Sequence, residues 1–253
     1  MKINKLILIF LLLVTAFSCF GQRMEVGVNG GASYYLGDIN PGKHFIESDY
    51  TFGLYYRYNF TKRISLKVSG NYLRLHSADE KTKEDLIRNA WFKSDMIDIS
   101  LLGEINFLPF FIGAKQHIWT PYLTGGFSIG LPMNIEGGFL NDEFTFNNEG
   151  LYSERESVGQ KNSIIPNLVI GFGIKVSLSK KVGIHVEWVM HKTFVDWIDG
   201  IYYYDNYDFF DRNNILYVCN TTNTDWYSMF QLGLSYKFEM PKKKKCLEHL
   251  NNF

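Results

Sequence analysis

The sequence predicts an all-β chain: an eight-stranded antiparallel transmembrane β-barrel behind an N-terminal signal peptide. Three observations predict it. Eight segments alternate apolar and polar residues with a period of two, as strands do when side chains point to opposite faces in turn. The connections between them run long, short, long, short, long, short, long. The composition is 17% aromatic with 22 glycines and 6 prolines, which suits strands, tight turns and interfacial rings.

At the start, Lys2 and Lys5 supply positive charge and Leu6 to Phe17 is an apolar run. That run is shorter than the roughly 20 residues of a membrane helix, so it reads as an export signal. Cleavage after Gly21 leaves Gln22 first. This sets a signal peptide over 1–21 apart from a barrel over 22–239 and a basic tail over 240–253. Cys19 is a rival lipidation site, but Ala16-Phe17-Ser18 before it match a lipobox poorly.

The strands are expected at 24–36, 51–60, 63–75, 95–107, 117–131, 165–178, 182–193 and 226–239. Each meets the roughly 9–11 residues a tilted strand needs to cross a membrane. The last is the clearest: Trp226, Phe230, Leu232, Leu234, Tyr236 and Phe238 share one face, broken by Ser228. The fourth sets Ile97, Ile99, Leu101, Ile105 and Phe107 against Asp98, Ser100, Glu104 and Asn106. A soluble β-sandwich alternates too, so the connections decide. Long ones fall near 37–50, 76–94, 132–164 and 194–225, short ones near 61–62, 108–116 and 179–181. Outer-membrane barrels have short periplasmic turns and long external loops. Both termini are therefore expected in the periplasm and the four long loops outside. Phe60, Phe107, Trp119, Tyr236 and Phe238 then mark one membrane interface, and Tyr34, Phe52, Tyr72 and Trp226 the other.

The inward face carries four bases, Arg57, Lys67, Lys175 and Lys237, and four acids, Glu25, Asp98, Glu104 and Glu187, with Asn29 and His185. An eight-stranded barrel is just wide enough for side chains to fill. Balanced charge there reads as a paired network and not as an ion path. His185 and Glu187 fit a general base and its partner in principle, but two inward residues of such a network are the simpler reading. His191 and Thr193 suggest a hydrolase pair only loosely, and no serine nucleophile is evident beside them. No metal-ligand spacing or nucleotide-binding glycine loop is present, so neither catalysis nor a cofactor is expected. Lys+Arg and Asp+Glu both count 26, which argues against a nucleic-acid partner.

The second long loop pairs Ser77 with Glu80 as a capping box for a short helix. The third is acidic, with Glu136, Asp142, Glu143, Glu149, Glu154 and Glu156, and reads as solvated. The fourth sets Trp197, Tyr202, Tyr203, Tyr204, Tyr207, Phe209 and Phe210 among aspartates. It either anchors an interface or packs over the barrel mouth. In the tail, Lys242, Lys243, Lys244 and Lys245 suit anionic headgroups or an acidic partner. Cys219 and Cys246 fall on opposite sides of the membrane, so Cys246 is a candidate for an intermolecular disulfide.

Three stretches carry a family resemblance: Gly30-Gly31-Ala32-Ser33-Tyr34-Tyr35-Leu36-Gly37-Asp38-Ile39-Asn40-Pro41, Phe52 to Phe60 with its Arg57-Tyr58-Asn59-Phe60 ending, and Thr120 to Phe127. Together they resemble the PorG-type outer-membrane barrel of the Bacteroidetes type IX secretion system. The resemblance implies a scaffold that ties the periplasmic ring of the machine, a lipoprotein with its associated subunit, to the outer membrane. It also implies a link to protein export and, in some members, gliding motility. It carries over no catalytic residue. The alternative is a general structural or adhesive small barrel that binds through its external loops.

Overall fold

The structure, a computed structural model, describes residues 24–37, 39–82, 90–114, 116–139, 145–147, 150–152, 164–195, 198 and 225–238. The signal peptide over 1–21 and the tail over 240–253 lie outside the described residues. So do the fourth-loop aromatics from Trp197 to Phe210, Cys19, Cys219 and Cys246.

Eight long strands form the barrel: β1 Met24–Leu36, β2 Ser48–Asn59, β3 Ile64–Ala78, β4 Ala90–Asn106, β5 Trp119–Phe139, β8 Ile165–Ser177, β9 Val182–Thr193 and β10 Trp226–Phe238. Each pairs antiparallel with the next along the chain. The ring closes where β10 returns to β1, from Met24↔Phe238 to Leu36↔Trp226. Two three-residue strands, β6 Thr145–Asn147 and β7 Gly150–Tyr152, extend β5 through Gly137↔Phe146 and Gly138↔Thr145. The third connection is therefore partly sheet.

The wall has the pattern lipid demands. Leu54, Phe127, Ile170, Ile105 and Leu232 are among the large apolar side chains left exposed on its outside, while Glu25, Arg57, Lys67 and Glu104 are buried inside. A closed ring also pairs every strand edge, which a bilayer requires. The fold is thus a transmembrane β-barrel of outer-membrane type.

The wall is not uniform in height. β3, β4 and β5 have 15, 17 and 21 residues, while the other barrel strands have 12 or 13. At about 3.3 Å per residue β5 runs about 70 Å, far more than a tilted crossing of an apolar band about 25 Å tall. The surplus lies at the long-connection end, where β4 begins at Ala90 instead of 95 and β5 continues to Phe139 instead of 131. A bulge explains the shortfall in the sequence reading. Asp95 pairs with Asn134 but Met96 with Pro132, so Met133 is an extra residue. The slip inverts the alternation beyond Leu131, and proline is tolerated there because a bulge breaks the ladder.

Two local expectations are corrected. The helix of the second connection is a single turn, Asp79–Thr82, and Ser77 does not cap it. The Ser77 hydroxyl instead donates to Glu47 at 2.7 Å, and the same carboxylate accepts the Ala78 N–H at 2.8 Å. Tyr34 is not an exposed belt residue. It is fully buried under the first connection, against His44 and Phe45. Trp188 Nε1 donates to Tyr34 Oη at 3.0 Å and to Ser228 Oγ at 2.7 Å. Ser228 broke the apolar face of the last strand because it sits beneath this covered patch, away from lipid.

Candidate functional site

The lumen is built from inward positions of all eight barrel strands and has two unlike halves. Nearest the short turns, the register brings charges from six strands together. Arg57 on β2 faces Glu25 on β1, and its Nη1 donates to Glu25 Oε2 at 2.9 Å. Its Nη2 donates to Glu104 Oε1 on β4 at 3.1 Å. Lys175 on β8 donates to Glu104 Oε2 at 2.6 Å and to Asn106 at 3.1 Å. Lys67 on β3 donates to both oxygens of Glu187 on β9 at 2.6 Å and lies 3.8 Å from Glu104. Three cations thus surround Glu104, and the six charges, three of each sign, cancel. All six are buried. Such a set is tolerated out of water only because each charge has a hydrogen-bonded opposite.

Neutral groups complete it. Asn59 donates to Glu25 at 2.8 Å and the Tyr122 hydroxyl donates to Glu187 at 2.7 Å. The Lys175 ammonium stands 4.2 Å above the Tyr122 ring. Large side chains fit because glycine faces them. A Cβ on Gly173 would come within 2.8 Å of the Tyr122 ring, and one on Gly27 within 2.3 Å of Tyr55. Gly233 gives His185 its room in the same way: a Cβ there would stand 2.1 Å from the imidazole. Tyr55 and Tyr122 were not legible as site residues, because tyrosine occurs on both faces of a membrane strand.

Asp98 and Lys237 lie apart from this cluster. Lys237 sits at the mouth, where its Nζ donates to the Ile112 carbonyl at 2.6 Å. Asp98 belongs to a second group midway along the lumen. It accepts the Tyr227 hydroxyl at 2.7 Å and that of Ser100, and lies 3.6 Å from His191 Nδ1. Ser128 Oγ lies 3.1 Å from that same nitrogen. Serine, histidine and aspartate therefore do meet, from β5, β9 and β4, which the sequence reading missed because three distant strands supply them. The meeting is not a relay. A hydrolase uses one ring nitrogen for the acid and the other for the nucleophile. Here both partners share Nδ1, and the whole group is buried. Between the two groups, Asn29 donates to Asn71 and to Gln231, each at 3.0 Å.

The half nearest the long connections holds an apolar cluster. Leu73, Leu75, Phe92, Met96, Val169, Val189 and Met229 form a buried cluster that Ile39 and Ile198 join from the connections. Tyr35 packs edge-on to Phe92, and its hydroxyl donates to Asp225 at 2.5 Å. At the other end, Phe110 and Ile112 of the β4–β5 connection are buried under the short-turn mouth. The sequence marks that connection only as a short one. Side chains therefore fill the barrel from mouth to mouth. Among the described residues, no group of three or more His, Cys, Asp or Glu side chains is placed to hold a metal ion. The tail candidates Lys242, Lys243, Lys244, Lys245 and Cys246 lie outside the described residues.

A family model described as a domain of unknown function, DUF6089, matches residues 4–247. The chain belongs to this family. No curated protein matches it. Among solved structures it is similar to the N-terminal β-barrel domain of Pseudomonas aeruginosa OprF, at 12% identity over 84% of this chain and 96% of that one, TM-score 0.39. It is also similar to Ail, the attachment invasion locus protein of Yersinia pestis, solved with the heparin analogue sucrose octasulfate, at 11% identity over 85% and 98%, TM-score 0.45. A third is Neisserial surface protein A, at 11% identity over 85% and 97%, TM-score 0.41. These likenesses carry no function across.

Proposed function

We propose that the protein is a non-catalytic outer-membrane component of the type IX secretion system that anchors the periplasmic ring of the machine. In this reading the termini and short turns face the periplasm and the long connections face out. The observation that supports it best is the filled lumen. A barrel sealed by paired charges and by an apolar cluster holds something and does not conduct. The stretches around Gly37–Pro41 and Arg57–Phe60 supply the resemblance that names the machine. Outer-membrane lipid is the first partner, the ring lipoprotein and its associated subunit the next. Cys246 offers an intermolecular disulfide, tested on non-reducing gels of native membranes by the loss of an adduct in Cys246→Ser.

Affinity purification from gentle detergent, followed by mass spectrometry, tests the assignment. Recovery of the ring lipoprotein is the expected result, and its absence sinks the reading. The second reading, an adhesive barrel acting through its external loops, draws on the order of the first connection. There Lys43 bonds the Thr82 carbonyl and Phe45 packs on Trp188. Recovery of extracellular material alone favours it.

A further inference from the structure

The short-turn end is a single surface and not three separate turns. The β4–β5 connection crosses the mouth and is tied to its neighbours at several points. Phe110 N donates to the Lys62 carbonyl of the β2–β3 turn at 2.9 Å. Gly113 N donates to Ser177 Oγ at the end of β8 at 2.7 Å. Lys237 on β10 reaches the Ile112 carbonyl at 2.6 Å. Gly113 also lies against the β8–β9 turn, where an added Cβ would come within 2.6 Å of the Lys180 carbonyl oxygen. Its φ of +86° is one that only glycine adopts readily, so both space and conformation hold this crossing in place.

The exposed charged side chains of this surface have one sign. Lys62, Arg63, Lys180 and Lys181 are exposed, and among the described residues of these turns there is no carboxylate. Arg63 is further held by a 2.6 Å bond from its Nη1 to the Phe107 carbonyl. The opposite end mixes signs, with Glu80, Lys81 and Glu136 all exposed. The chain leaves β10 at the same surface, and the sequence beyond Phe238 adds four lysines against two glutamates. The outside wall at this level is apolar, with Phe60, Phe107, Trp119 and Leu178 exposed, so lipid meets rings there. The stitched surface instead spans the mouth, which headgroups encircle but do not cover.

We infer that this face is a preorganised basic platform that docks a carboxylate-bearing surface of the periplasmic ring lipoprotein. The inference rests on the function proposed above. A face cross-linked by backbone bonds loses little freedom on binding, and charge of one sign selects and steers its complement.

The test compares the full-length wild-type protein with Lys62→Glu/Lys180→Glu/Lys181→Glu, both purified in gentle detergent from host membranes. Lipoprotein and phospholipid that co-purify are quantified, and the mobility of unheated samples confirms that each barrel is folded. The expected result is a loss of lipoprotein of about tenfold or more in the reversed variant, and a wild-type complex that weakens as salt is raised. A folded variant that retains wild-type amounts overturns the platform while leaving the proposed function standing. Unchanged lipoprotein with lost anionic phospholipid also overturns it, and assigns the lysines to headgroups. If wild type recovers no lipoprotein at all, the functional reading itself fails and the platform with it.

Discussion

The half of the lumen nearest the short turns is filled by three bases and three carboxylates bonded to one another. The half nearest the long connections is filled by leucine, methionine, valine and aromatic side chains. Both exclude water from the same narrow tube, yet they fail differently. The charged half depends on complete pairing: removing one partner strands another in a medium that cannot solvate it. The apolar half depends on filled volume, and its losses scale with the cavity left behind.

The largest effect is expected where pairing is broken at its hub. Arg57→Ala leaves Glu25 and Glu104 short of their shared cation and should cost about 3–5 kcal/mol. The urea midpoint of the barrel folded in vesicles measures it, and a cost near zero would show that the network is not a closed set. Lys67→Met alone should cost about 3 kcal/mol, and most of this should return when Glu187→Gln is added. The glutamine keeps an acceptor for Tyr122. Failure of the rescue would mean that the lysine acts through packing and not through its charge.

In the apolar half, Leu73→Ala should cost about 2–3 kcal/mol and respond little to salt. Gly233→Ala drives a methyl into the His185 ring and should cost about 1–2 kcal/mol, a strain effect that neither mechanism above supplies. The smallest signal is expected from planar bilayers. Wild type should show no large, stable conductance. Lys67→Ala with Glu187→Ala should show none either, because the apolar half still seals the tube. A reproducible wide pore in either protein would break the comparison.

The charged half was legible in the sequence to the extent that charges stood out against alternating strands. Arg57, Lys67, Glu104, Lys175 and Glu187 each alternate with lipid-facing residues, so their inward direction follows from period alone. The apolar half was not legible. When inward residues such as Leu73, Val189 and Met229 become apolar, both faces of the strand read alike and the period loses its contrast. The covered patch at Tyr34 and Ser228 was hidden for a related reason. A connection that folds back over the outer wall removes lipid from positions that strand parity assigns to it. The seal made by Phe110 and Ile112 falls in a turn, where no periodicity exists to read. The eight strands themselves, and which ends carry long connections, were plain throughout.

The closure between β1 and β10 has a consequence for how the barrel is made. Every other barrel pairing joins consecutive strands, which local loop closure brings together at modest entropic cost. The last joins Met24 to Phe238, almost the whole described chain apart. It is therefore the slow, non-local step of folding. Before it forms, two 13-residue edges stand open with their amides unpaired, a state that hydrocarbon penalises heavily. Insertion and closure are thus bound into one event, and β10 is the strand whose arrival sets its timing.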